Sequence, residues 1–179
     1  AHGRKEPLGV IHIDAHGDTW GNIGNAEIND ANILRNAVMD GIIDPEKSIT
    51  IGLRGRTFHW WDYSAAVGLR AVTTEEFREK GVKEMIKEAR KIVGDGPCYL
   101  TFDLDALDPI QMPGIGLPEP FGLSVPDVLD FIRGLRGLDF VGADITDLCP
   151  PADPSDMSSN TAAGFCFEML CLISEAHVA

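Results

Sequence analysis

The chain is predicted to fold as an α/β domain built on a parallel sheet covered by helices, on three observations. Short apolar runs alternate with amphipathic stretches along the 179 residues, as parallel strands alternate with the helices that connect them. Polar and acidic residues gather where apolar runs end, and open parallel sheets bind ligands beyond the carboxyl ends of their strands. The composition, 44% hydrophobic and 24% charged, suits one globular domain over residues 1–179 with a sizeable core. No repeat, linker or low-complexity tract divides it.

Leu8–Asp14 is the first expected strand, and a central one. Ala26–Asp40 has helical spacing, with Ile28, Ala31, Leu34 and Val38 on one face, and stops at Gly41. Ser48–Leu53 is the next strand and runs into the Arg54-Gly55-Arg56 loop. Arg70–Val72 is a short extended piece, after which Thr74 caps a long charged helix reaching Val93. Gly94-Asp95-Gly96-Pro97 breaks that helix before the strand Cys98–Leu104. Residues 108–126 are rich in Pro and Gly and read as loop. A helix follows over Pro126–Arg136, then the strand Phe140–Leu148, closed by Pro150-Pro151. Residues 158–176 form the last helix, with Ala162, Phe165, Cys166, Met169, Leu170 and Ile173 as its apolar face.

The net charge of −13 and pI near 4.6 exclude a phosphate-backbone binder, which needs a basic footprint. Divalent metals and small cationic substrates suit such a surface, which also serves solubility. The four cysteines, Cys98, Cys149, Cys166 and Cys171, show neither zinc-finger nor redox spacing and read as buried reduced thiols of a cytoplasmic protein. No apolar run reaches the ~20 residues that span a bilayer. The chain opens without an initiator Met, directly ahead of a buried strand, as a fragment does.

Two segments carry chemistry: His12-Ile-Asp14-Ala-His16-Gly-Asp18 and Phe102-Asp103-Leu-Asp105-Ala-Leu-Asp108-Pro109. Strand alternation places Asp14, His16 and Asp18 on one side, and Asp103 with Asp105. Carboxylates packed that closely resist ionisation unless a cation compensates them. Asp and His donors without thiolates suit manganese, nickel, iron or zinc. Bridging carboxylates can hold a metal pair and a nucleophilic hydroxide, which points to hydrolysis. His12 reads as a core or supporting histidine, and Asp108-Pro109 as a turn.

The two motifs together resemble those of the ureohydrolases, the family of arginase and agmatinase. Ile42-Ile43-Asp44-Pro45-Glu46, Ile51-Gly52-Leu53-Arg54-Gly55 and Gly116-Leu117-Pro118-Glu119-Pro120 are more similar to the agmatinase branch. The resemblance implies a three-layer α/β/α fold, trimeric or hexameric assembly, and two divalent metal ions, manganese with nickel as the alternative. It implies hydrolysis of a guanidino compound to urea and an amine, as agmatine gives putrescine. Asp14 and Asp103 would bridge the metals, His16 and Asp105 would complete one, and Asp18 would bind the other. The family's further His ligand, in a Gly-Gly-Asp-His-Ser segment, has no counterpart here. The metal at Asp18 is therefore expected to be weakly held.

Two positions depart from the family pattern. Asp30 stands where many agmatinase-like chains place a proton-carrying His, and Asp147 where the family has a guanidinium-binding Glu. Together they imply a re-shaped anionic pocket, suited to an alkylguanidine or a biguanide. Trp20 is a candidate to stack on the guanidinium, and His59, Trp60 and Trp61 are candidates for the pocket mouth or a subunit contact. A catalytically silent subunit that stabilises an active partner is the alternative reading. A deacetylase-like α/β hydrolase shares the strand-end chemistry but not the loops at 42–55 and 114–122.

Overall fold

The computed structural model describes residues 6–55 and 62–178. Its centre is β1 (Leu8–Ile13), buried at all six positions as a strand covered on both faces must be. It pairs in parallel with β2 (Ile43–Leu53) on one side and β4 (Cys98–Asp103) on the other. With β3 (Arg70–Thr73) and β5 (Phe140–Thr146), the parallel order is β3-β2-β1-β4-β5.

Alternate side chains divide between two helical layers. Ile11, Ile13, Ile49, Ile51, Leu100 and Phe102 belong to the main core, shared with α4 (Val82–Val93), α5 (Val125–Gly134) and α6 (Met157–Val178). Val10 and Ile43 pack on the other face against Leu34, Ala37 and Val38 of α1 (Ile33–Met39). The short α2 (Asp62–Val67) leads into β3. This is the expected α/β/α layering.

β2 is longer than Ser48–Leu53 because Ile43 already pairs with Leu8, ahead of a bulge that absorbs Pro45. Ser48 closes the bulge: its Oγ donates to Asp44 O at 2.6 Å and accepts from Val10 N at 3.0 Å.

The helix expected over Ala26–Asp40 is only a 3-10 turn (Asp30–Asn32) and α1. Asn32 and Asn36 both donate side-chain amides to Glu27 O, at 3.2 and 3.1 Å, offering that stretch an alternative to helical bonding. Ile28 is consequently 74% exposed rather than in the core. The long helix expected to reach Val93 is two. Thr73, not Thr74, caps α3 (Thr74–Lys80), accepting from Glu76 N. Gly81 then takes φ 78, a left-handed turn that ends α3 and redirects the chain into α4.

α5 begins where Ser124 caps it and ends short of Arg136. α6 is rotated from the expected face: Ala162, Phe165, Met169 and Leu172 are buried, while Cys166 and Leu170 are exposed. The helix is apolar around much of its girth, so spacing alone leaves the rotation open. Phe165 sets it by meeting Phe102 edge-on at 5.0 Å.

No described helix is long and apolar enough to cross a membrane. All four cysteines are free, but only Cys98 is buried; Cys149 and Cys171 are half-buried. Burial pushes the Cys98 thiol up to about 12. Brief iodoacetamide treatment near pH 8 is expected to modify Cys166 and spare Cys98, as peptide mass mapping would read.

Candidate metal centre

The chain leaves β1 outward through β2 to β3, then returns to the other side of β1 for β4 and β5. The loops after β1 and β4 therefore diverge and open a crevice at the carboxyl rim. Both acidic motifs sit there.

Strand alternation does not gather their side chains. β1 ends at Ile13 and β4 at Asp103, and each terminal Asp folds its carboxylate back onto the amide two residues on. Asp14 Oδ1 accepts from His16 N at 2.6 Å, and Asp103 Oδ1 from Asp105 N at 2.8 Å. These paired Asx turns end the strands and aim the next residues inward. Asp105 then lies in a 3-10 turn (Leu104–Ala106), and its Oδ1 accepts from Ala15 N at 3.0 Å, joining the two loops. Asp18 takes φ 49, which Asp tolerates better than most residues. Its carbonyl accepts from Leu34 N and Arg35 N, anchoring α1 to the site.

All five expected ligands converge, with two additions. Donor atoms lie within 4.8 Å of one another in three overlapping groups: His12, Asp14, Asp18; Asp14, His16, Asp105; and Asp103, Asp105, Asp147. His16 Nδ1 is 2.8 Å from Asp105 Oδ2 and 3.4 Å from Asp14 Oδ1. His12 is buried with both nitrogens engaged, Nδ1 3.2 Å from Thr50 Oγ1 and Nε2 2.8 Å from Asp14 Oδ2. The same side chain, expected to be a core or supporting histidine, also belongs to the first donor group.

The electrostatics follow from crowding. Burial, then the Asp14 charge, pushes Asp18 up to about 7; burial with Asp14 and Asp105 pushes Asp103 up to about 8. Burial also raises Asp105, to about 6, despite its bond from His16. Burial would raise Asp14 too, but His12 outweighs it and holds that carboxyl well below its usual range. Hydrogen bonds to Asp105 and Asp14 lift His16 to about 11. His12 reaches about 9, its burial outweighed by Asp14 and Asp18. Protons on these groups balance charge that divalent cations would balance better. A hard carboxylate–imidazole donor set of this kind fits two such ions.

A cavity of about 750 Å³ opens over the cluster. Trp20, Ile28, Ile33 and Leu117 give it apolar walls, which accounts for the exposure of Ile28 and Leu117. Asp30 lines it as an exposed residue whose Oδ1 accepts from Ala31 N. Asp147, at φ 63, ends β5 two residues early; its Oδ2 accepts from Gly116 N at 3.0 Å and Leu117 N at 3.3 Å. Asp144 stays apart, accepting from Thr101 Oγ1 on the sheet face. Arg56, His59, Trp60 and Trp61 lie outside the described residues.

Sequence reasoning passed over two neighbours. Thr146 Oγ1 donates to Asp103 Oδ2 at 2.9 Å, and Glu119 Oε1 stands 3.5 Å from His16 Nε2. Glu119 was visible only as part of a loop motif; its partner lies far away in sequence.

Known proteins resemble the chain along most of its length. The guanidinopropionase of Pseudomonas aeruginosa is 40% identical over 98% of this chain, which spans 56% of that protein. The agmatinase of Chromobacterium violaceum is 38% identical over 100% of the chain, which spans 54% of it. Among solved structures, the proclavaminate amidino hydrolase of Streptomyces clavuligerus superposes with a TM-score of 0.92 at 34% identity, over 96% of this chain and 57% of that one. The chain thus spans about half the length of the relatives it matches. The arginase family model matches residues 1–171, and the chain belongs to the arginase family.

Proposed function

We propose that the protein hydrolyses a guanidino compound to urea and an amine with two divalent metal ions, manganese in the first instance and nickel as the alternative. The convergence of three overlapping Asp/His groups beneath one cavity carries this reading. Asp14, His16, Asp18, Asp103 and Asp105 would hold the ions. Bound there, the ions would supply Lewis acidity and a nucleophilic water at neutral pH. The relatives named for guanidinopropionate and agmatine hydrolysis support the bond attacked.

The chain's own residues would bind and orient the substrate. Asp147, fixed by two amides of the 116–117 loop, presents negative charge beside the acidic floor. Trp20 lines the cavity beside Ile28, Ile33 and Leu117 and would stack on a planar cation. Asp30, at the mouth, would assist protonation of the leaving amine.

Asp147 is one methylene shorter than Glu, which withdraws the charge by roughly an ångström. With Asp30 it would shape a pocket for a substituted guanidine. A panel of agmatine, guanidino acids, alkylguanidines and a biguanide, read by urea release with Mn²⁺ or Ni²⁺, tests both points. Turnover of an alkylguanidine or a biguanide at least equal to agmatine is expected. Agmatine far above all others would refute the altered pocket, and no urea from any of them would refute the function.

A further inference from the structure

Arg54 leaves the end of β2 and sends its guanidinium under the cavity floor, where every acceptor it meets is a main-chain carbonyl. Nε donates to Glu119 O and Pro120 O at 3.2 and 3.1 Å. One terminal nitrogen donates to Gly52 O and Ala106 O at 3.2 and 3.1 Å. The other donates to Asp105 O, Glu119 O and Leu107 O at 2.5, 2.6 and 3.2 Å. Among the described residues this arginine has no carboxylate ion pair. A planar fork of five donors spread over three nitrogens can reach carbonyls of both segments at once, a span that an ammonium with three donors on one nitrogen cannot match.

The two segments it joins have one further thing in common. Asp105 presents Oδ2 to Nδ1 of His16, and Glu119 presents Oε1 to Nε2 of the same ring. The main chain of Arg54 and Gly55 completes the enclosure, both amides donating to Ala15 O at 3.1 and 3.2 Å. A Cβ at residue 55 would stand 3.0 Å from His16 Cδ2, so a larger residue there would press on the ring.

We infer that Arg54 is a positioning residue for His16: one guanidinium fixes, through their carbonyls, the two segments whose carboxylates meet opposite nitrogens of the imidazole. The consequence for metal binding rests on the proposed two-metal centre. A ligating histidine is oriented by the partner of its other nitrogen, and loss of such support typically costs about 10- to 100-fold in affinity. Arg54 would act on that orientation from beneath, touching neither the ring nor a metal.

Ring ¹⁵N spectra of the full chain without metal test the positioning directly, with His12 and His16 assigned by His→Gln variants. Arg54→Lys is expected to broaden or double the His16 ring signals and leave those of His12, held by Thr50 and Asp14, in place. Glu119→Gln, which keeps the carbonyl contacts, is expected to shift the His16 Nε2 signal alone. Unchanged His16 signals in both variants overturn the proposal, and so does an equal disturbance of His12, the mark of general loosening. Calorimetry with Mn²⁺ is expected to show about tenfold weaker binding in Arg54→Lys. Wild-type protein that takes up no Mn²⁺ would sink the metal reading, while the ring signals would still decide the role of Arg54.

Discussion

Asp14→Asn is expected to lower metal content from about two ions per chain to at most one and to cut urea release by at least ~100-fold. Asp14, like Asp105, is shared by two of the donor groups, so its loss weakens both of them. Its two oxygens do different work. Oδ1 ends β1 by accepting from His16 N, and Oδ2 meets His12 Nε2. An amide of the same shape keeps the Asx turn but withdraws the charge. His12 then loses the partner that holds it protonated, and its neutral ring can donate from Nδ1 to Thr50 Oγ1 while Nε2 accepts from the new side-chain amide. The fold should therefore survive, and removing a charge from a crowded acidic cluster offsets much of what is lost. Metal analysis and a thermal melt on one preparation separate the outcomes. A variant that melts normally yet holds two ions and works within tenfold of wild type would contradict the assignment. Asp147→Asn is the contrasting case: metal content retained, with the loss seen mainly in KM.

The five strands were legible as short apolar or extended runs between breakers, although only β1 is buried at every position and the edge strands β3 and β5 are mostly half-buried. Their ends were not legible. Asp14 and Asp103 stop their strands by side-chain bonds to the backbone, which hydrophobic periodicity does not encode. The same competition from Asn32 and Asn36 removed the first turn of the helix expected from Ala26. The convergence of Asp14, His16, Asp18, Asp103 and Asp105 was expected from the motifs, although strand alternation, its expected cause, is not the cause. Two loops turned by Asx bonds bring them together instead. Glu119 and Arg54 stayed out of view because their roles depend on residues 108–123 folding back over the rim. Leu107 pairs with Leu123, Ile115 bridges to Leu148, and Met112, Ile115 and Leu123 are buried. Such contacts are tertiary, and local pattern is silent on them.

The metal-free chain is expected to lose stability as pH rises from about 5 to 9, against the usual trend for a protein rich in carboxylates. Asp105, Asp18 and Asp103 stand at about 6, 7 and 8 in the fold against an ordinary 3.8. His12 and His16 stand at about 9 and 11 against 6.5. All five are raised, so the folded chain holds more protons than the unfolded one across this window. Their contribution is complete below the unfolded values and is lost as pH climbs through the folded ones. Asp14 has the opposite sign, but its contribution is lost only in strong acid, outside the window. A tenfold difference in proton affinity is worth about 1.4 kcal/mol, and with five groups raised the summed loss should amount to several kcal/mol. Metal reverses the trend, because each ligand must shed its proton to bind and the stabilisation from binding grows with pH. Denaturation curves at pH 6, 7, 8 and 9, with EDTA and with saturating Mn²⁺, should therefore diverge as pH increases. Calorimetric titrations in two buffers of different ionisation heat should show protons released on Mn²⁺ uptake. Metal-free stability that stays flat or climbs over this range would mean that the carboxylates at the rim already carry their charge without help, and the case for a compensating cation would lose its electrostatic basis.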